Sequence, residues 1–241
     1  MVNFYSQHGE DIILNELFKG YDAGFFVEIG CIDGRRFSNT LTFEERGWRG
    51  LCVEAHADYI ELLTRNRPNS IVCHCAVGEE DAEDVTFYAN SRGSLSTLER
   101  GKEDFFRQRF GRWFTGFKQQ KIQKRRMDTI FRANNLRDID ILSLDIEGYE
   151  AAALRGLNLN EFRPRVFVIE VDSKEDEIEI DRILIPKRYR KMFRLAQNVF
   201  YLSPEMPSID KIGRRIKAKV IHTQHPLDST GDQVIEIELI L

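Results

Sequence analysis

No stretch of the 241 residues approaches the ~18–20 consecutive apolar side chains of a membrane-spanning helix. The opening MVNFYSQHGED meets charge before an apolar core of about 7–15 residues can form, so no secretory leader is expected there. Cysteine is sparse and wrongly spaced for a metal. Of the four, Cys73 and Cys75 stand two apart, where zinc sites use longer spacers, and Cys31 and Cys52 are isolated. All four are read as reduced core residues of a cytoplasmic protein. Positive charge is not in excess either: 35 Lys and Arg face 39 Asp and Glu, which argues against a general nucleic-acid binder. With 16 glycines and 6 prolines, the chain is neither collagen-like nor low in complexity. A GxGxxG phosphate cradle is also missing.

What is present suits one large α/β domain. Hydrophobic residues make up 42% of the chain and aromatics 11%, enough to close a core. Short apolar runs at Phe25–Ile29, Leu51–Glu54, Ile71–Val77, Asp140–Asp145 and Val166–Val171 predict strands covered on both faces. Amphipathic stretches between them (8–20, 57–66, 128–135, 148–156 and 176–185) predict helices. The alternation reads as a mostly parallel, doubly wound sheet. Residues 91–126 stand apart: eleven Lys and Arg face Glu99, Glu103 and Asp104, so this segment carries +8 in a chain of net charge -4. Six aromatic residues, Phe105 to Phe117, lie among them. One reading is a patch of core cover with a solvated outer face. Another is a lid that offers Ser94, Ser96 and basic groups to an acceptor. The tail predicts a short basic helix, then strands near 217–223 and 234–240 joined across His225–Gly231.

Chemistry is concentrated at strand ends, where open α/β sheets bind ligands. FFVEIGCIDGRRFSNT, residues 25–40, runs from a strand into Glu28, Gly30, Asp33 and Gly34. Acids rather than bare N–H groups flank this turn, which suits a cofactor carrying ammonium and sulfonium charge better than a pyrophosphate. Glu54 ends the second strand twenty positions after Gly34; an acid about 20 residues on is placed to accept ribose hydroxyls. Small residues at Ala76-Val77-Gly78 leave room for an adenine ring, and His74 reads as a buried or half-buried strand residue. DILSLDIEGYEAAALRG, 140–156, delivers Asp145 at a strand end. Glu147 and Glu150 follow, the latter expected to be exposed and to oppose its helix dipole. VFVIEVD, 166–172, puts Glu170 and Asp172 at the next strand end.

These pieces together resemble the FkbM family of S-adenosylmethionine-dependent methyltransferases. The likeness rests on Ser6-Gln7-His8-Gly9-Glu10-Asp11, Val27-Glu28-Ile29-Gly30-Cys31-Ile32-Asp33-Gly34, Ser38-Asn39-Thr40, Glu54-Ala55-His56 and Cys75-Ala76-Val77-Gly78. It continues through Ser94-Leu95-Ser96, Leu144–Glu150, Ile169-Glu170 and Gln197–Tyr201. The resemblance implies a Rossmann-like class I methyltransferase domain over 1–204, with 91–126 inserted and 205–241 as an extension packed on the same domain. It also implies an O-methyltransferase acting on a sugar, glycan or related natural-product hydroxyl. By that likeness Gln7, Glu28, Gly30, Cys31, Asp33, Gly34, Asn39, Glu54, Ala55, Ala76 and Asp145 surround S-adenosylmethionine. Cys31-Ile32 departs from the family's usual Ala-Asn and narrows the turn.

A sugar hydroxyl is a weak acid, so its proton needs a base or its oxygen a metal. Asp145, Glu147 and Glu170 are the candidate catalytic acids. Asp145, Glu170 and Asp172 are candidate ligands for Mg²⁺ or a similar cation, and His56 is expected near the adenosine or acceptor. A non-catalytic cofactor-binding module and an NAD-type oxidoreductase remain as alternatives.

Overall fold

The computed structural model describes residues 2–206, 215–222 and 233–240. Seven strands form the main sheet: β1 (Phe25–Ile29), β2 (Arg49–Glu54), β3 (Ser70–His74), β7 (Ile141–Leu144), β8 (Val166–Glu170), β9 (Arg190–Leu195) and β10 (Asn198–Leu202). Their order is β3-β2-β1-β7-β8-β10-β9, with β10 antiparallel to both neighbours and the pairs from β3 to β8 parallel. This is the mostly parallel, Rossmann-like sheet expected. Strand order reverses between β1 and β7, the crevice where such sheets place ligands.

The near-continuous apolar strands are explained by two cores. Val27, Ile29, Leu51, Val53, Leu142 and Leu144 face helices α5 (Met127–Ala133), α6 (Glu150–Arg155) and α7 (Lys174–Leu184). The alternate residues, such as Phe26, Cys52, Ile141 and Val168, face α1 (Glu10–Leu17), α2 (Leu41–Glu45) and α3 (Ile60–Asn66). A period of two along each strand thus feeds both layers. The cysteines are free, and Cys73 and Cys75 meet the same core.

The expected strand Ile71–Val77 is two strands. Because β2 stops at Glu54, opposite His74, the ladder offers no further partner. The chain therefore leaves the sheet, and His74 is exposed rather than buried. β4 (Ala76–Val77) then joins a second sheet of order β4-β6-β5, with β5 spanning Ala82–Asn90 and β6 Phe117–Arg125. The basic aromatic segment consequently divides. Residues 91–116, including α4 (Lys102–Phe110), connect β5 to β6, whereas 117–125 are β6 itself. Leu95, Phe106 and Phe114 form a small core of their own, with Phe110 and Phe117 against it. The tail forms the hairpin β11 (Arg215–His222) and β12 (Gln233–Ile240), tied to the N-terminal segment by a Phe4–Val220 bridge. The expected basic helix and the His225–Gly231 connection lie outside the described residues, apart from the first two positions of the helix.

Arg67, at the end of α3, has no exposed side-chain surface. It donates to Glu44 (2.6 Å), Glu28 (2.8 Å), the Gly34 carbonyl (3.1 Å), Ser38 (3.1 Å) and Thr40 (2.7 Å). Removing one member of such a buried group leaves unpaired charge, at a typical cost of about 3–5 kcal/mol. Arg67→Met is therefore expected to lose about 3–5 kcal/mol in urea unfolding, and adding Glu28→Gln and Glu44→Gln to recover part of it.

Candidate active site

Glu28 is expected at the cofactor turn, and the structure places it behind that turn. It is buried, with its carboxylate turned toward the α1–α3 layer. There it accepts from Ser38 (2.9 and 3.0 Å), the Asn39 N–H (2.8 Å), Thr40 (2.7 Å) and Arg67 (2.8 Å). Sharing a strand face with Phe26 puts it there. Its role is to fold the following turn. Asp33 acts similarly, accepting from the N–H groups of Arg35 (2.9 Å) and Arg36 (2.7 Å). Cys31 turns its thiol inward to the Glu28 carbonyl (2.9 Å), and Asn39 donates to Ser143 (3.0 Å). A Cβ on Gly34 would meet Leu63 and Arg67 rather than open space. Gln7 is exposed on the segment before α1. None of these six residues lines the cavity described next.

That cavity, about 60 Å³, lies at the β1–β7 crevice. Of the expected residues, Gly30, Glu54, Ala55, Ala76, Ser94, Ser96, Asp145 and Glu147 line it. Glu54 closes one end, accepting from the N–H groups of Ile32 and His56 at 2.7 Å each. Burial pushes its carboxyl up to about 7 despite these donors. Ile32, at φ 50°, is a β-branched residue in the left-handed region, a strained position. Its N–H bond to Glu54 holds it there, and its side chain meets the wall at Gly93. Its departure from the family pattern was the available signal for this contact. His56 lies outside the cavity, buried with Nε2 3.0 Å from the Asn90 carbonyl; burial lowers its pKa.

The other end belongs to acids. Asp145 lines the cavity and its side chain is exposed, although protein atoms crowd its carboxyl. Burial first, and then neighbouring Glu147, raise its carboxyl well above the ordinary range. Burial likewise raises Glu147 and Glu170, the latter helped by Asp145. Glu150, expected in solvent, is buried and accepts from the N–H groups of Ile146 (2.8 Å) and Gly148 (3.2 Å). It caps the turn preceding its own helix, and burial raises it to about 7. Residues 91–116 close over this end. The Leu95 N–H donates to the Glu147 carboxylate (2.8 Å), while Thr97 (3.2 Å) and Lys102 (3.0 Å) donate to its carbonyl. Tyr149 joins the cavity to an outer groove of about 560 Å³ lined also by Lys102, Phe105, Arg109 and Asp172.

Gly30 lines the cavity, and packing also constrains it. A Cβ there would lie 1.7 Å from the Asp145 carbonyl oxygen, and φ is +87°. Gly30→Ala is therefore expected to lower the melting temperature with no ligand present, since backbone must move to relieve overpacking of about 1–3 kcal/mol or more. An unchanged melt of the ligand-free variant would return Gly30 to a purely ligand-facing role.

The Methyltransferase FkbM domain model matches residues 28–211. Among solved structures, precorrin 8W decarboxylase from Methanobacterium thermoautotrophicum is 11% identical over 98% of this chain and 88% of its own, with a TM-score of 0.43. A TehB-like SAM-dependent methyltransferase from Corynebacterium glutamicum is 11% identical over 81% and 88%, with a TM-score of 0.40. Aeropyrum pernix fibrillarin, solved with natively bound S-adenosyl-L-methionine, is 12% identical over 74% and 66%, with a TM-score of 0.40. No curated protein matches the sequence.

Proposed function

The chain belongs to the FkbM methyltransferase family, and from that premise we propose that it moves the methyl group of S-adenosylmethionine to a hydroxyl of a sugar, glycan or related natural product. The observation that carries this reading is one cavity walled by Glu54 at the end of β2 and by Asp145 and Glu147 beyond β7. Glu54 takes the ribose hydroxyls, Ala76 flanks the adenine, and the cationic methionine end turns toward Asp145. A single wall then meets both the neutral and the charged halves of the cofactor. NAD, with its pyrophosphate, would bring negative charge against these acids.

Transfer needs the acceptor oxygen, methyl carbon and sulfur in line, with water excluded. The acceptor approaches from the outer groove, past Tyr149. Its proton passes to a carboxylate of the Asp145–Glu147–Glu170 group, whose proton affinity burial and mutual repulsion raise above the ordinary carboxylate range. The same acids offer oxygen ligands to a divalent cation such as Mg²⁺. A 60 Å³ cavity is well below the ~300–1,000 Å³ of ligand pockets, so residues 91–98 act as a wall that moves outward on cofactor entry.

Calorimetry with S-adenosylmethionine and with NAD, followed by labelled methyl transfer to a panel of glycans, tests the reading. O-methylated product is expected. Cofactor binding without product would make the chain a binding module, and NAD binding in its place would make it an oxidoreductase. Glu54→Gln is expected to weaken S-adenosylmethionine binding by about 10–100-fold, the worth of charge-assisted hydrogen bonds.

Protonation of Glu54 should mimic that loss. Its carboxyl titrates at about 7 rather than the ordinary 4.5, and the ribose hydroxyls need its charged form. Wild-type affinity is therefore expected to fall as pH drops below about 7, and Glu54→Gln to flatten that dependence. A flat wild-type profile between pH 6 and 8 would remove Glu54 from the ribose role.

A further inference from the structure

Residues 91–116 meet the opposite wall of the cavity at one turn, Glu147–Gly148, just beyond β7. Both residues are left-handed, with φ of 56° and 97°. Three donors from the connection end on Glu147: the Leu95 N–H on its carboxylate, and Thr97 and Lys102 on its carbonyl. Leu95 is itself left-handed, at φ 64°. Two non-glycine residues in costly backbone conformations are thus bonded to each other, and such conformations persist only where the surroundings impose them.

Lys102 is the one charged donor of the three, and charge-assisted bonds are the stronger kind. Its side chain is 17% exposed, and its ammonium lies 3.0 Å from the Glu147 carbonyl and 3.4 Å from the Glu99 carboxylate. The ring centre of Phe106, a fully buried member of the connection's own core, is 5.8 Å away. A Cβ on Gly148 would lie 1.9 Å from the ammonium nitrogen, so the lysine tip sits in the space that any other residue would fill. Arg109 bonds Asp172 at 3.1 Å nearby, but its side chain is 36% exposed, where water weakens an ion pair. Behind these contacts Gly93, Ser94, Ser96 and Leu98 line a cavity of about 60 Å³, too small for a nucleoside-sized ligand.

We propose that Lys102 is a latch: seated at Gly148, it holds residues 91–116 closed in the ligand-free protein, and a ligand must dislodge it to enter. Part of the binding free energy is consumed in opening, so apparent affinity falls in proportion to the open fraction. The latch deepens the methyltransferase reading. Its effect on S-adenosylmethionine rests on that reading; the closure itself does not.

Two substitutions break the latch in different ways. Lys102→Met removes the ammonium, whereas Gly148→Ala displaces it and keeps the charge. Arg112→Gln, which removes an exposed cation of the same connection, is the control. Hydrogen exchange of the full-length, ligand-free protein is followed by nuclear magnetic resonance. The Leu95 amide is expected to exchange at least about ten-fold faster in both latch variants, with β1 and β7 amides at wild-type rates. Calorimetry uses S-adenosylhomocysteine, which lacks the sulfonium charge. Binding is expected to tighten by about three- to ten-fold in both latch variants and to stay unchanged in Arg112→Gln. Circular dichroism melts establish folding, and either latch variant alone suffices. Unchanged exchange at Leu95 overturns the latch. So does weaker S-adenosylhomocysteine binding by Lys102→Met, which would make the lysine part of the cofactor wall. Faster exchange in a protein that binds neither S-adenosylhomocysteine nor S-adenosylmethionine keeps the latch and overturns the methyltransferase reading. Binding of both with exchange unmoved does the reverse.

Discussion

A guanidinium with no exposed surface is the constraint on which the first half of the molecule depends. Arg67 links the end of α3 to β1 through Glu28, to α2 through Glu44 and to the intervening turn through Gly34, Ser38 and Thr40. Taking such charges out of water gains little net stability over an apolar substitute. What it secures is geometry, because the planar fork accepts few arrangements of its partners. The Gly30–Asn39 turn is thereby fixed from behind, leaving its front free to form a cavity wall. Ile32 shows the result: its strained backbone is retained by surroundings that over-determine it.

The protein puts carboxylates to two opposite uses a few ångströms from the same sheet edge. Glu28 and Glu44 are saturated by hydroxyls, N–H groups and Arg67, and so belong to the fold. The acids beyond β7 and β8 crowd one another: Asp145 is exposed, Glu147 and Glu170 are half-buried, and desolvation with mutual repulsion drives all three carboxyls upward. Acids pressed together in this way are good candidates for chemistry. Glu54 stands between these cases. Two backbone N–H groups fix its direction, yet burial still holds its titration near 7.

That division explains what could be read from the residues alone. The strands were legible because β1, β2, β7 and β8 are apolar at nearly every position, and only burial on both faces requires that. The positions of Glu54 and Asp145 on the cavity wall were legible because residues at the C-terminal ends of β2 and β7 face the crevice. The pairing of Glu28 with Arg67 was not legible because the two are 39 positions apart and nothing local announces it. Period-two reasoning did contain a clue, since Glu28 shares the face of Phe26. Glu150 misled for a similar reason: an acid in a first helical turn ordinarily reaches water, but here the Ile146–Gly148 turn folds back over it. The division of Ile71–Val77 depended on where β2 ends, which is a property of its neighbour.

The basic segment shows how a charge count is interpreted once the fold is known. A surplus of +8 in an otherwise acidic chain invites the idea of an anionic partner. Part of that charge is instead spent internally. Lys102 and Arg109 fasten α4 to the acids at the ends of β7 and β8, and Arg107 pairs with Glu103 on the same helix. The acidic strand ends and the basic connection are complementary, so each makes the other tolerable in an enclosed space. What remains outward is mixed: Phe105 and Trp113 are exposed, with Arg109 and Arg92 over their rings. The outer groove, which Phe105 helps to line, leads from that surface past Tyr149 to Asp145. The segment that closes the cavity therefore also lines the outer groove, so one connection shapes both spaces.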